Sequence, residues 1–416
     1  MIMKRIYDCG LTTTSGGNIS ILDDDGTVWI TPGSIDKGNL HRNDIVQVKS
    51  DGTINGIHKP SMELPIHKLI YAKRPDIKAV VHAHSPALVS FSIVGIIPNT
   101  KLIPNINLVC GEVGMAGYGL PGSIELGEIV SEVFEKGYDA VLLKNHGIAV
   151  GAENLMKAFM AFETLDFCAK LEINANRIGK PNSLTPKYLN ISRKKTMTSL
   201  KEYQSDKYTS GEQEIRSDMC DFISRAYSQK LFNSAQGTFS QRLDENEFLI
   251  TPYMADRNNI APEDIVKVKN GRVEAGKQPS RSVLLHKYIY EKHPHINSVI
   301  IAQPPNIMAF AVTQNEYDTR IIPESYIQLR NIEKYPFGSS LMQPAMFADI
   351  FSKDKPAAIV ENDCIIVTGS SMLNAFDRLE VAEFGAKAVI EASSIGKIMS
   401  ISEHEISDIV KAFKLD

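Results

Sequence analysis

Asp44-Ile45-Val46-Gln47-Val48-Lys49 returns 220 residues later as Asp264-Ile265-Val266-Lys267-Val268-Lys269, with five of six positions identical. Around it, Ile30-Thr31-Pro32 recurs as Ile250-Thr251-Pro252 at the same offset. Pro60-Ser61 and His67-Lys68-Leu69-Ile70-Tyr71 return as Pro279-Ser280 and His286-Lys287-Tyr288-Ile289-Tyr290 at an offset of 219, and Ala158-Phe159 as Ala375-Phe376 at 217. The order is kept while the offset drifts slightly, which is the mark of one domain of about 200 residues duplicated in tandem. The expected organisation is a first domain over 1–178, a linker over 179–211 and a second domain over 212–416. The linker assignment rests on polar, turn-forming residues (Pro181, Asn182, Ser183, Pro186), and its Arg193-Lys194-Lys195 cluster is read as a solvated charge run.

Within each copy, strand and helix patterns alternate. Val28 to Thr31 and Asp44 to Lys49 are short β-rich runs, and Ala79-Val80-Val81 and Ala140 to Leu143 read as buried strands. Ser61 to Lys73 has apolar residues at helical spacing and stops before Pro75, and Asn154 to Ile178 reads as one long helix. Such alternation implies an α/β layer architecture. The chain has 416 residues, 43% apolar and 23% charged, with a net charge of −4. That is ordinary globular composition without the basic excess that binds a nucleic-acid backbone. Its most apolar stretch, Ala87 to Pro98, is too short to span a bilayer, and no apolar run follows the first basic residues. Five scattered cysteines suggest free thiols in a reducing compartment. The expectation is a cytoplasmic protein that engages neither nucleic acid nor membrane.

Several residues carry the types that chemistry requires. Val80-Val81-His82-Ala83-His84 puts two histidines two apart at a strand end, on one face, where they can share a metal or simply be satisfied polar groups. His293-Pro294-His295 has the same spacing but lies between a helix and a strand, and reads as loop. His146, before Gly147 and after a second apolar strand, is placed either as a third ligand or as a loop-capping residue. Glu63, just past Ser61, is either a first-turn acid favoured by the helix dipole or a general base beside a cation. The segments Ser15 to Ser20 and Thr31 to Ser34 offer backbone N–H groups and hydroxyls suited to a phosphate, and are equally ordinary turns.

Taken in order, S-G-G-N-I-S (15–20), I-T-P-G-S (30–34), K-P-S-M-E-L-P-I-H (59–67), V-V-H-A-H-S (80–85) and N-H-G-I-A-V (145–150) resemble the class II aldolase/adducin family, most nearly its fuculose-1-phosphate aldolase type. The resemblance spans Asp8 to about Leu171, and the second copy follows it more weakly. It implies a three-layer α/β/α domain around a mixed, mostly antiparallel sheet, with zinc or another divalent first-row metal on His82, His84 and His146. It also implies an acid/base carboxylate at Glu63 and a phosphate pocket at Asn18, Gly33, Ser34 and Ser61. Met62 stands where the aldolases have a second pocket serine, which admits an unphosphorylated or differently shaped sugar. The implied activity is aldol cleavage of a sugar phosphate, the alternatives being epimerisation, dehydration or decarboxylation on a related substrate, or a non-catalytic adducin-like scaffold.

By the same alignment, Asn18, Glu63, His82, His84 and His146 correspond to Thr238, Ser282, Ile301, Gln303 and Asp363, so the second copy is expected to bind no metal. The family assembles as a ring of four in which a neighbour's tyrosine enters each site. At that position stand Asn107 in the first copy and Tyr326 in the second, implying that a homodimer mimics the ring and that Tyr326, with Arg330, serves the site of the first copy.

Overall fold

The structure is a computed structural model that describes residues 2–194, 200–205 and 208–415. Lys195 of the expected basic cluster lies outside the described residues, as does the Lys194 side chain. Two compact units result: Met1–Lys101 with Asn105–Lys170, and Leu102–Pro104 with Leu171–Asp416.

The first unit is built on β1 (Asn18–Leu22), β2 (Val28–Ile30), β3 (Val46–Val48), β4 (Ile54–Asn55), β5 (Ala79–Ala83), β6 (Val113–Ala116), β7 (Ala140–Leu143) and β8 (Gly147–Ala152). Their order is β4-β3-β2-β1-β5-β8-β7-β6, and every pairing is antiparallel except β6 with β7. The helices are α1 (Ile2–Asp8), α2 (Leu64–Lys73), α3 (Pro86–Val94), α4 (Pro104–Cys110), α5 (Ile124–Glu135) and α6 (Leu155–Ile178), of which Pro104 and the last residues of α6, from Leu171, count with the second unit. On one face, Val80, Val141, Leu143 and Ala149 form a core with Ile66 and Ile70 of α2 and Leu126, Val130 and Phe134 of α5. The alternate residues Val81, Leu142, Ile148 and Val150 point the other way and are also fully buried. A sheet covered on both faces has its apolar strands sandwiched between helical layers, which is the three-layer α/β/α arrangement.

Two local readings change in detail. The run Asp44 to Lys49 begins as a turn of 3-10 helix over Arg42–Asp44, closed by the Asp44 carboxylate accepting from His41 N at 2.7 Å, and extends only from Val46. The helix expected from Ser61 starts at Leu64, because 61–63 form a tight turn closed by Leu64 N donating to Ser61 O.

The second unit has β9 (Glu202–Tyr203), β10 (Thr238–Asp244), β11 (Glu247–Ile250), β12 (Val266–Lys269), β13 (Arg272–Glu274), β14 (Ser298–Ala302), β15 (Glu333–Tyr335), β16 (Ala357–Val360) and β17 (Cys364–Gly369). Their order, β15-β16-β17-β14-β10-β11-β12-β13-β9, repeats the first sheet with one strand added at the β13 edge. That strand comes from the segment expected to be a bare linker. Val273 N and Ala275 N donate to Lys201 O and Tyr203 O, so 201–203 satisfy an edge that would otherwise be open, and Pro186–Lys194 is helical.

Candidate metal centre

β1 and β5 run antiparallel with Asn18 directly opposite His82. His82 shares the face of Val80, and His84 follows two residues on, so both rings lie at the end of β5 on the side covered by α2 and α5. His146 arrives from the β7–β8 connection. Leu143 pairs with Gly147, so Lys144-Asn145-His146 is a three-residue hairpin loop, with Asn145 in the left-handed region at φ 56°. Two glycines permit the close approach. A Cβ on Gly17 would stand 2.8 Å from His82 O at φ +67°, and one on Gly147 would stand 2.6 Å from Ala83 O and 2.7 Å from the His84 ring. The S-G-G-N run thus has a packing reason independent of any phosphate.

Glu63 occupies the N-cap position of α2, but its side chain makes no cap hydrogen bond. It turns instead into the cluster. Its carboxylate lies 3.0 Å from His82 Nε2 and 3.1 Å from His146 Nε2, accepts from Asn18 Nδ2 at 2.7 Å, and is 5% exposed. His82 Nε2 and His84 Nε2 are 3.0 Å apart. Burial alone raises the Glu63 carboxyl, but the His82 charge and hydrogen bonds from His146 and His82 outweigh it and hold the group well below the usual carboxylate range. His82 responds in the opposite sense: burial lowers it, while the Glu63 charge and hydrogen bond, with the Ile148 carbonyl, carry it above its ordinary value. Burial and the charges of His82 and His146 push His84 down to about 3.

One ligand atom from each of Glu63, His82, His84 and His146 falls within 4.8 Å of all the others. His82 Nδ1 is 3.0 Å from Ile148 O and must donate there, so Nε2 faces inward and offers its lone pair to a cation once it gives up its proton. Three imidazole nitrogens and a carboxylate converging on one point are a donor set suited to a divalent first-row cation. Among the described residues no second group of this kind occurs.

The residues implied for a phosphate pocket are brought partly together. The bridge between Pro32 and Pro60 sets the loop carrying Gly33 and Ser34 beside Ser61, whose hydroxyl accepts from Glu63 N at 3.3 Å. Ser34 is exposed with φ 55°, and Met62 is 69% exposed. Asn18 is committed elsewhere: its Nδ2 donates to Glu63 and its Oδ1 accepts from His67 Nε2. His293 accepts no metal-like geometry with His295, since its Nε2 bonds Ala348 O at 2.7 Å.

Tyr326 is half-buried in the helix Pro323–Leu329 of the second unit, and Arg330 at its C-cap donates to the Leu415 carbonyl. In that unit Thr238 pairs with Ile301 in the register of Asn18 with His82, and Glu361-Asn362-Asp363 forms the loop equivalent to that of His146, with Asn362 at φ 50°. The frame is the same and the donors are replaced.

Sequence reasoning passed over Lys37, and met Ser20 only in a candidate phosphate turn and His67 and Tyr71 only as repeated residues. Lys37 is 1% exposed, is lowered by burial to about 8, and donates to the Pro32 carbonyl at the base of the Gly33 loop. Behind Asn18, Ser20 is hydrogen-bonded to both His67 and Tyr71. Their signal was available: all three recur as Ser240, His286 and Tyr290, kept where the ligands are not.

A family model described as Class II Aldolase and Adducin N-terminal domain matches residues 1–173 and again 217–390. The 5-deoxy-D-ribulose 1-phosphate aldolase of Bacillus thuringiensis serovar kurstaki is 37% identical over 186 residues, 44% of this chain and 85% of that protein. An L-fuculose phosphate aldolase of Methanococcus maripaludis is 35% identical over 179 residues, 42% of this chain and 95% of the relative. A 3-oxo-tetronate 4-phosphate decarboxylase of Pectobacterium atrosepticum is 36% identical over 169 residues, 40% and 77% of the two chains.

Proposed function

The chain belongs to the class II aldolase and adducin family, and from that premise we propose that its first unit cleaves and forms a carbon–carbon bond in a ketose phosphate. The observation that carries this reading is the convergence of His82, His84, His146 and Glu63 on one point. We assign the three histidines as holders of Zn²⁺ or another divalent first-row ion, which supplies Lewis-acid polarisation of the substrate carbonyl. Glu63 is the residue that moves the proton. It is ionised, buried and aimed by Asn18, so it takes a proton from the carbon beside the carbonyl in condensation and returns it after cleavage. Gly33, Ser34 and Ser61 receive the phosphate, with the Lys37 charge behind the loop. Asn18 serves Glu63 first, and reaches the phosphate only with its second N–H.

We assign the second unit a structural role without metal, since Ser282, Ile301, Gln303 and Asp363 offer no matching donor set. Two chains associating head to tail would recreate the four-repeat ring, and Tyr326 of the neighbouring chain would then supply a hydroxyl to the leaving aldehyde. Sedimentation equilibrium reporting a monomer rejects the ring. A Tyr326→Phe variant that keeps full turnover when folded and zinc-loaded rejects that role.

The decarboxylase relative supports a second reading, loss of CO₂ from a 3-oxo acid phosphate, which would use the same polarised carbonyl. The deciding experiment is a screen of zinc-loaded protein against ketose 1-phosphates, unphosphorylated ketoses and a 3-oxo-tetronate 4-phosphate. Release of dihydroxyacetone phosphate supports the aldolase, release of CO₂ replaces it with the decarboxylase, and turnover of none rejects both.

A further inference from the structure

Behind Glu63 runs a row of buried hydrogen bonds that ends on its carboxylate. Tyr71 OH and Ser20 Oγ are 2.6 Å apart, and Ser20 Oγ is 2.6 Å from His67 Nδ1. His67 Nε2 contacts Asn18 Oδ1, and Asn18 Nδ2 lies 2.7 Å from Glu63 Oε2. Ser20, His67, Tyr71 and Asn18 are each no more than 6% exposed. Asn18 and Ser20 sit two apart on β1, while His67 and Tyr71 sit four apart on α2, so each pair shares one face and the two faces meet.

The direction of every link follows from the last one. An ionised carboxylate only accepts, so Asn18 turns its NH₂ to Glu63 and its carbonyl to His67. That carbonyl also only accepts, so His67 carries its proton on Nε2. The Nδ1 lone pair then accepts from the Ser20 hydroxyl, and Ser20 in turn accepts from Tyr71. An asparagine amide has nearly the same shape either way round. What prevents Asn18 from flipping, and setting its carbonyl oxygen against the Glu63 carboxylate, is the N–H of His67.

The second unit contains the same row cut at this point. Tyr290, Ser240 and His286 keep both 2.6 Å contacts. Thr238 replaces Asn18, and its hydroxyl pairs with Ser280 Oγ at 2.8 Å, leaving His286 Nε2 buried without a hydrogen-bond partner. The shared part of the row therefore serves the fold in both units. The link through Asn18 exists only where there is a carboxylate to aim.

We propose that His67 is a positioning residue for proton transfer by Glu63, acting by locking the Asn18 amide with its N–H groups toward the carboxylate. This rests on the acid/base role assigned to Glu63 above. His67→Leu removes the donor, and His67→Gln restores an N–H close to the Nε2 position. With zinc-loaded protein, His67→Leu is expected to lower kcat about 10- to 100-fold with KM within about threefold, and His67→Gln to recover most of the loss. His286→Leu, which deletes an equally buried imidazole with the same Ser and Tyr partners, is expected to cost comparable thermal stability and leave kcat unchanged. An activity-independent readout is the Asn18 side-chain amide pair in ¹⁵N-edited NMR of the full chain. In the wild type the carboxylate is expected to shift one proton downfield; that shift should be lost in His67→Leu and regained in His67→Gln. If His67→Leu does not fold, His67→Met, a second apolar replacement without a donor, should produce the same changes. Wild-type kcat in a folded His67→Leu or His67→Met, or an unmoved Asn18 amide in either, overturns the proposal. Absence of aldol turnover in the wild type would reject the enzymatic reading alone, and the Asn18 resonance would still decide whether His67 sets that amide.

Discussion

Replacing Glu63 with Gln keeps the shape of the side chain and removes its charge, so the metal-free protein should reveal what that charge does. In the wild type the carboxylate sits 3.0 Å from His82 and 3.1 Å from His146, nearly inaccessible to water. Breaking a buried ion pair from one side costs about 3–5 kcal/mol when the remaining charge has nowhere to go. His82 does have an escape, because an imidazole can release its proton. The cost must therefore depend on pH, and its sign follows from the two shifts. Glu63 is lowered, so its contribution is present above 4.5 and is lost as pH falls below that value. His82 is raised, so its contribution is complete below 6.5 and is lost as pH rises through its elevated folded pKa. The pair thus stabilises the metal-free first unit most between these limits. Above 6.5 the wild type should lose up to about 1.4 kcal/mol per pH unit from His82. In Glu63→Gln, burial opposes the charged His82 ring and only the Ile148 carbonyl still favours it, so the ring is neutral when folded and stability should be nearly flat over the same range. Thermal unfolding of chelator-treated proteins measures this: the variant should melt roughly 6–20 °C lower near pH 5.5, at about 2–4 °C per kcal/mol, with the gap closing toward pH 8.5. Melting temperatures that stay parallel across that range would refute the buried pair. With metal restored, kcat should fall about 10²- to 10⁴-fold, and a loss below about threefold would refute the proton-transfer role.

Other outcomes follow from single contacts. His84→Ala should reduce bound zinc at least about 10-fold by metal analysis, while an equal metal content would show that His84 is not a ligand. Asn18→Thr copies the second unit and orphans the His67 N–H, so the first unit should lose about 1–3 kcal/mol in denaturant unfolding, whereas Thr238→Ser, which keeps the hydroxyl to Ser280, should change little. Glu383, buried in the helix Met372–Ser393 and accepting from Asn306 and Ile307 N–H groups, is raised by burial to about 7. Its contribution is complete below 4.5 and lost as pH rises through about 7, so Glu383→Gln should flatten the pH dependence of melting over that interval, and an unchanged slope would count against it.

The α/β character, the duplicated architecture and the identity of the clustered residues were legible because each leaves a one-dimensional trace. Apolar runs mark strands buried on both faces, as at Ala79–Ala83 and Ala140–Leu143. The H-x-H spacing projects two rings from one strand end. A repeat shows wherever selection for the fold held the same residue twice. Less legible was the segment 179–211. Its polar composition reads as linker, yet the pairing of 201–203 with β13 depends on an open edge on the partner strand, which local sequence does not display. The start of α2 at Leu64 is equally hidden, since a first-turn acid that caps a helix and one that turns away to meet histidines share the same sequence context.

By itself, the sequence determined which residue types were available and in what order: three histidines, one glutamate, and a second copy without the donors. Tertiary structure decided how they are joined. Glu63 meets His82 and His146 because α2 lies over the end of β5 and the β7–β8 loop folds back beside it, contacts separated by 19 and 83 positions in the chain. The direction of the Asn18 amide belongs to the same class of fact. It is set by a helix residue facing a strand residue, and hydrogen-bond direction is a property of the assembled row of donors and acceptors, not of any one member.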